Sequence, residues 1–141
     1  MQHAKFYFFD SGVVNALTGR LRDPLDKSDQ GLLLETLVLH ELRAAMTMRN
    51  CGGQLSYWRT SAGTEIDFIW SRAKTTIGIE VKLSRVWKRE FGVALKELHT
   101  ATQLQKCFAV YLGPTRFKDG PIDVLPLEML MRALHTGEIL P

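Results

Sequence analysis

Cysteine is scarce in this sequence. Cys51 and Cys107 stand alone, with no CxxC pair anywhere. Two isolated thiols make neither a disulfide framework nor a four-thiolate zinc site, and reduced thiols in the cytoplasm are the expectation. Long hydrophobic runs are missing too. No stretch approaches the ~18 apolar residues of a membrane helix, which excludes a transmembrane span. The opening residues show no basic-then-apolar leader pattern. Internal repeats and low-complexity tracts are absent. Charge of one sign is only mildly in excess. A net +3 and a pI near 9.0 suit a nucleic-acid partner without specifying one.

What is present fits one domain. The 141 residues match the common size of a single folding unit, which buries roughly 68–70% of its unfolded surface without staples. Apolar residues make up 45% and charged residues 23%, the balance of a globular chain.

Hydrophobic periodicity gives the order of elements. KFYFF (5–9) reads as a strand, and Asp10 or Ser11 caps a short helix that ends at Gly19. A polar loop follows. A long amphipathic helix is expected over 30–50, capped by Asp29 and ended by Gly52 or Gly53. QLSYWRT (54–60), TEIDFIWSR (64–72) and TIGIEVKLS (76–84) read as strands, with a turn at 61–63. A helix is expected over 86–105 on Phe91, Ala94, Leu95, Leu98 and Ala101. CFAVYLG (107–113) is a buried strand, 113–121 a loop, IDVLP a short strand and LEMLMRALH a last helix. Three successive strands suggest an antiparallel meander, and a helical crossover suggests a parallel pair. The expected class is α/β: a mixed sheet flanked by helices, with an αβββαβ core. Residues 1–28 are expected to be a lead-in segment and 29–141 the domain proper.

Three positions put charge where packing predicts none. IGIEVKL (77–83) reads as a buried strand, yet Glu80 and Lys82 lie two apart and therefore on one face. In TEIDFIW, alternation places Thr64, Ile66, Phe68 and Trp70 on one face and Glu65, Asp67 and Ile69 on the other. In the long helix, residues 32, 35, 38, 39, 42 and 46 form an apolar stripe interrupted only by Glu35. An isolated buried charge costs several kcal/mol, and converging carboxylates force protonation of at least one. A divalent cation, Mg²⁺ or Mn²⁺, removes that conflict through hard oxygen ligands. Asp67 and Glu80 on neighbouring strands are expected to supply two of those oxygens, with Glu35 binding directly or through a water. Lys82 is a point charge suited to a hydrolytic water or to phosphate.

These residues resemble a known superfamily. Glu on the first helix, Asp on one strand and Glu-x-Lys on the next, in an αβββαβ order, look like the PD-(D/E)XK nucleases with their restriction-endonuclease-like fold. KFYFFDSGVVNALTG, GLLLETLVLHEL, YWRTSAGTEIDFIW, IGIEVKLS and IDVLPLEMLM together are similar to the nuclease-like domain found C-terminal to AAA-type P-loop ATPases of bacteria and archaea. The resemblance implies metal-dependent DNA hydrolysis, with Asp67, Glu80 and Glu35 as metal ligands and Lys82 as the catalytic lysine. It also implies an ATPase part ahead of the domain. No GxxxxGK[ST] occurs here, so the opening segment is expected to be the junction to a missing part, with exposed apolar residues.

Each feature has a plainer alternative. Glu80 and Lys82 alone would be a solvated ion pair contributing about 0–1 kcal/mol. Glu35 would be an acid near a helix start. Glu65 is a further ligand or a solvated edge residue. Arg85, Lys88 and Arg89 around Trp87 are either nucleic-acid contacts with stacking, or a basic helix start with a core tryptophan. His99, His135 and both cysteines read as packing or surface residues. At the level of function the rival is a binding module for nucleic acid or protein on the same fold, without catalysis.

Overall fold

The computed structural model describes residues 5–61, 63–101 and 103–141. Residues 1–4 of the lead-in, Ala62 of the 61–63 turn and Thr102 of the 86–105 helix lie outside them.

The core is a six-stranded mixed sheet with helices on both faces. Helix α1 (Ser11–Leu17) is capped by Asp10, whose carboxylate accepts from the Gly12 and Val13 N–H groups. Helix α2 spans Lys27–Met48, and its cap is Asp26 rather than Asp29. Asp26 accepts from the Asp29 N–H, while Asp29 lies in the first turn and pairs with Arg20, so the helix starts a turn earlier than its periodicity suggested. Strands β1 (Gln54–Arg59), β2 (Glu65–Arg72) and β3 (Thr75–Val81) form the antiparallel meander. A 3-10 turn (Arg89–Gly92) and helix α3 (Val93–Thr100) cross over to β4 (Lys106–Tyr111), which runs parallel to β3. Strand β6 (Ile122–Pro126) is parallel to β4 and leads directly into α4 (Leu127–Thr136). The sheet order is β1-β2-β3-β4-β6-β5, where β5 is the short strand Phe117–Asp119. Among the described residues no helix is long and apolar enough to cross a membrane.

Further sequence expectations need correction. Residues 5–9 have no regular structure and join no sheet; Lys5 and Tyr7 are half-buried while Phe6 and Phe9 are 78% and 77% exposed. The crossover helix is short, because residues 82–88 form a loop whose polar contacts replace the first helical turns. The segment read as a loop at 113–121 contains β5 (Phe117–Asp119), which pairs antiparallel with β6 through a turn at Gly120, whose φ is 61°. Three residues are too few to show a period of two.

Two apolar layers hold the sheet. Leu34, Val38, Leu42 and Ala45 of α2 and Leu130, Ala133 and Leu134 of α4 pack on Trp70, Ile77, Ile79 and Val110. On the other face Ala94, Leu95 and Leu98 of α3 pack on Ile69, Cys107, Ala109 and Val124. The buried stripe of α2 is thus rotated from the expected one, leaving Leu32 46% exposed and Glu35 at its border. Each fully buried aliphatic side chain contributes about 1.5–3 kcal/mol. Gly78 in β3 is required by this packing: a Cβ there would stand 2.7 Å from Leu95 and 2.8 Å from Leu104.

Strand β2 does not alternate as its sequence suggests. Ser56 pairs with Ile69 and Trp58 with Ile66, so Tyr57 alone opposes both Asp67 and Phe68. This bulge puts two consecutive residues of β2 out of phase. Ile66 and Ile69 both join the α3-side core, and Phe68 and Trp70 join the α2-side core. The expected grouping of Ile66 with Phe68 and Trp70 is therefore wrong, and Asp67 is shifted off the Ile69 face.

Candidate functional site

The bulge sets the position of Asp67, which is 3% exposed. The regular β2–β3 ladder runs from Arg72–Thr75 to Phe68–Ile79 and stops there. In the next position Asp67 Oδ2 accepts a hydrogen bond from the Val81 N–H at 2.9 Å, in place of a backbone carbonyl. The carboxylate thus sits in the plane where the two strands part, between the two faces of the sheet.

On the α2 side, Asp67 Oδ1 accepts from Lys5 Nζ at 3.0 Å. The same ammonium lies 3.6 Å from Glu35 Oε2 and 3.6 Å from Glu65 Oε1. Tyr7 donates its hydroxyl to Glu35 Oε2 at 3.1 Å. Lys5, Tyr7, Asp67, Leu39 and Leu55 line a cavity of about 170 Å³ between α2, β1 and the 5–9 segment.

On the α3 side lies Glu80, 3% exposed. Ile77, Ile79 and Val81 face α2, so alternation sends Gly78, Glu80 and Lys82 the other way. Glu80 Oε1 is paired with Lys82 Nζ. Its second oxygen has no hydrogen-bond partner, and among the described residues it is the one buried side-chain polar atom in that state. Such an atom normally costs about 1–3 kcal/mol. The Lys82 ammonium lies 5.8 Å from the centroid of the Phe91 ring, within cation–π range.

Electrostatics tie the two sides together through Asp67. Burial pushes Glu80 up to about 7, and the Asp67 charge pushes the same way against the opposing pull of Lys82. Glu35 is raised by burial and then by Asp67, with Lys5 and Tyr7 working against the rise. Burial would lower both ammonium groups. Asp67 and Glu35 nevertheless hold Lys5 well above its ordinary value, and Glu80 raises Lys82. Burial and the neighbouring Glu35 raise the Tyr7 hydroxyl.

Glu35, Asp67, Glu80 and Lys82 therefore gather at one end of the β2–β3 hairpin, but in two groups with Asp67 between them. Among the described residues no three Asp, Glu, His or Cys side chains stand close enough together to clasp an ion. A lysine ammonium holds the centre of the α2-side group instead. Sequence reasoning missed Lys5 and Tyr7. The available signal was a charge in phase with a tyrosine in the aromatic run KFYFF. Glu65, read as a ligand or an edge residue, joins the Lys5 cluster and also approaches Arg59 at 3.8 Å.

Arg85, Lys88 and Arg89 are exposed in the loop and turn after β3. Lys88 lies 5.9 Å from the same Phe91 ring as Lys82, which links the basic loop to the buried pair. Trp87 is half-buried: its indole N–H donates to Asp119 at 2.9 Å and its ring meets Phe91 edge-on at 5.6 Å. His99 pairs with the nearby Leu104 carbonyl, and His135 of α4 with Glu41 of α2. Both cysteines are buried and free.

An α/β domain with a mixed six-stranded sheet, flanking helices and a carboxylate–ammonium cluster where two central strands part is the class that this fold and site define. The chain belongs to the family described as Domain of unknown function (DUF4143), whose family model matches residues 30–130. That span holds Glu35, Asp67, Glu80 and Lys82 and leaves Lys5 and Tyr7 outside. No curated protein and no solved structure matches the chain significantly.

Proposed function

We propose that this domain hydrolyses phosphodiester bonds in DNA with a divalent cation, Mg²⁺ or Mn²⁺, in the manner of the PD-(D/E)XK nucleases it resembles. The observation that carries the reading is the unpartnered, buried Glu80 oxygen beside Asp67. A hard cation is the ligand that such a pair of carboxylates accommodates best. When bound, the cation supplies Lewis-acid polarisation and neutralises charge on the phosphate. Asp67 and Glu80 would hold it, and Glu35, which stands in the α2-side group, would reach it through a water. Lys82 orients the attacking water and stabilises negative charge that develops on the phosphate. Arg85, Lys88 and Arg89 contact the DNA backbone. An ATPase part, implied by the resemblance, would meet the domain at residues 5–21, where Phe6, Phe9, Leu17 and Leu21 are exposed.

Calorimetric titration of Mn²⁺ into the parent chain and into Asp67→Ala, with and without a DNA duplex, tests this reading. Binding that the substitution removes, together with Mn²⁺-dependent nicking of plasmid by the parent alone, is the expected result. The second reading, a binding module without catalysis, is favoured by the Lys5 ammonium that already neutralises the α2-side carboxylates. It predicts DNA or protein binding that Asp67→Ala leaves unchanged.

A further inference from the structure

We propose that Phe91 is a positioning residue for Lys82: its ring, braced through Trp87 by Asp119 of β5, holds the Lys82 ammonium beside Glu80. The inference rests on the cleavage reading above, in which Lys82 orients the attacking water, and it names what orients Lys82. The backbone of Lys82 is fixed, because its N–H donates to the Val110 carbonyl at 2.9 Å and carries the β3–β4 contact one residue beyond the strand. The side chain needs more. A lysine stem is flexible and its ammonium donors rotate, so a single ion pair leaves the charge a range of positions. Two contacts define it here. Glu80 Oε1 pairs with Lys82 Nζ, and the centroid of the Phe91 ring lies 5.8 Å from the same atom. The ring face attracts the cation through its quadrupole but offers no lone pair. Phe91 thus places the charge and leaves the remaining N–H donors to a water or a phosphate.

The ring is itself held in place. Phe91 lies in the 3-10 turn, where its N–H donates to the Lys88 carbonyl at 3.0 Å. Its ring meets Trp87 edge-on at 5.6 Å. The Trp87 indole N–H donates to Asp119 Oδ2 at 2.9 Å, and Lys96 Nζ of α3 donates to Asp119 Oδ1 at 2.7 Å. Both oxygens of Asp119 are therefore engaged, and the tryptophan is tied at its polar edge to the β5–β6 hairpin. Gly92 lets the turn come this close. A Cβ there would stand 2.4 Å from Ile122 Cδ1 of β6 and 3.3 Å from Trp87. The chain of contacts from Asp119 through Trp87 and Phe91 to Lys82 gives Trp87 a bracing role. Lys88 lies 5.9 Å from the same ring, but it is exposed and its other contact, with Glu90, is 3.8 Å long. An exposed ammonium is free to move to a DNA phosphate while the half-buried Lys82 stays on the ring.

The test compares the parent with Phe91→Leu, Phe91→Tyr and Trp87→Phe. Two quantities are read: the Lys82 ammonium resonance by heteronuclear NMR without DNA, assigned by its loss in Lys82→Arg, and the kinetics of Mn²⁺-dependent plasmid nicking. Phe91→Leu keeps an apolar side chain and removes the π face. It should broaden or abolish the Lys82 resonance and lower kcat about tenfold, with KM within about twofold of the parent. Phe91→Tyr keeps the ring and should keep both the resonance and kcat. Trp87→Phe loses the hydrogen bond to Asp119 and should weaken the resonance in the same direction. Thermal melts identify any variant that fails to fold, and if Phe91→Leu does, Trp87→Phe decides: an unchanged Lys82 resonance overturns the proposal. A folded Phe91→Leu with the parental resonance or the parental kcat overturns it, and so does a Phe91→Tyr that behaves as Phe91→Leu. A parent that cleaves no DNA, with a Lys82 resonance that still depends on the ring, overturns the nuclease reading and leaves the placement of Lys82 by Phe91 standing.

Discussion

Glu80→Gln tests the electrostatics of the site most directly. The Glu80 carboxyl is raised from 4.5 to about 7, first by burial and then by the Asp67 charge. A pKa unit corresponds to ~1.36 kcal/mol, so the rise amounts to about 3 kcal/mol. Glu80 is 3% exposed, so solvent screening takes little from that figure. The folded state holds this proton more tightly than the unfolded chain does. Its contribution is therefore fully present below pH 4.5 and is lost as pH rises through about 7. A glutamine cannot ionise and removes this slope. Thermal melts in chelator should find parent and variant alike near pH 5. At pH 8 the variant should melt higher, by about 10 °C for a chain of this size. Glu35, raised by the same causes, leaves a residual slope in both. Parallel pH profiles for parent and Glu80→Gln would refute the buried carboxylate, satisfied by Lys82 on one oxygen alone, on which the functional reading depends.

Other outcomes follow from the same geometry. Lys82→Ala should abolish Mn²⁺-dependent DNA cleavage, by about 10²-fold or more, while Mn²⁺ affinity by calorimetry stays within a few-fold of the parent. Cleavage at the parental rate would remove Lys82 from the assignment. Neutralising Arg85, Lys88 and Arg89 together should flatten the dependence of DNA affinity on salt, by about 0.9 in the log–log slope per lost phosphate contact. An unchanged slope in fluorescence titrations would make these residues plain surface. Gly78→Val should cost about 1–3 kcal/mol in urea denaturation, because its side chain must displace Leu95 and Leu104, each under 3 Å from a Cβ. A neutral substitution would show that α3 docks more loosely than described.

The bulge in β2 explains where sequence reading stopped. Period-two alternation assigned β3 correctly: Ile77, Ile79 and Val81 face α2, and Gly78 and Glu80 face α3. It failed in β2 because the bulge is a property of the pairing with β1, where Tyr57 opposes two residues. Nothing in TEIDFIW alone reveals it. The crossover helix was overextended for a related reason. Apolar spacing was helical from Phe91 onward, but residues before it are held by loop contacts, Trp87 to Asp119 among them.

The amino-acid sequence by itself determined the α/β class, the meander, the parallel crossover and the four suspect residues. Those follow from local periodicity and from charges that break it, and both are written along the chain. Only the tertiary structure decided how those charges are arranged. Lys5 meets Asp67 across 62 positions of sequence, and no periodicity reports a contact of that range. The division of the carboxylates into two groups, with Asp67 in the gap between strands, arises from register and from the return of the chain over α2. A side chain's partners depend on distances in three dimensions, whereas its spacing in sequence fixes only which face of its own element it occupies.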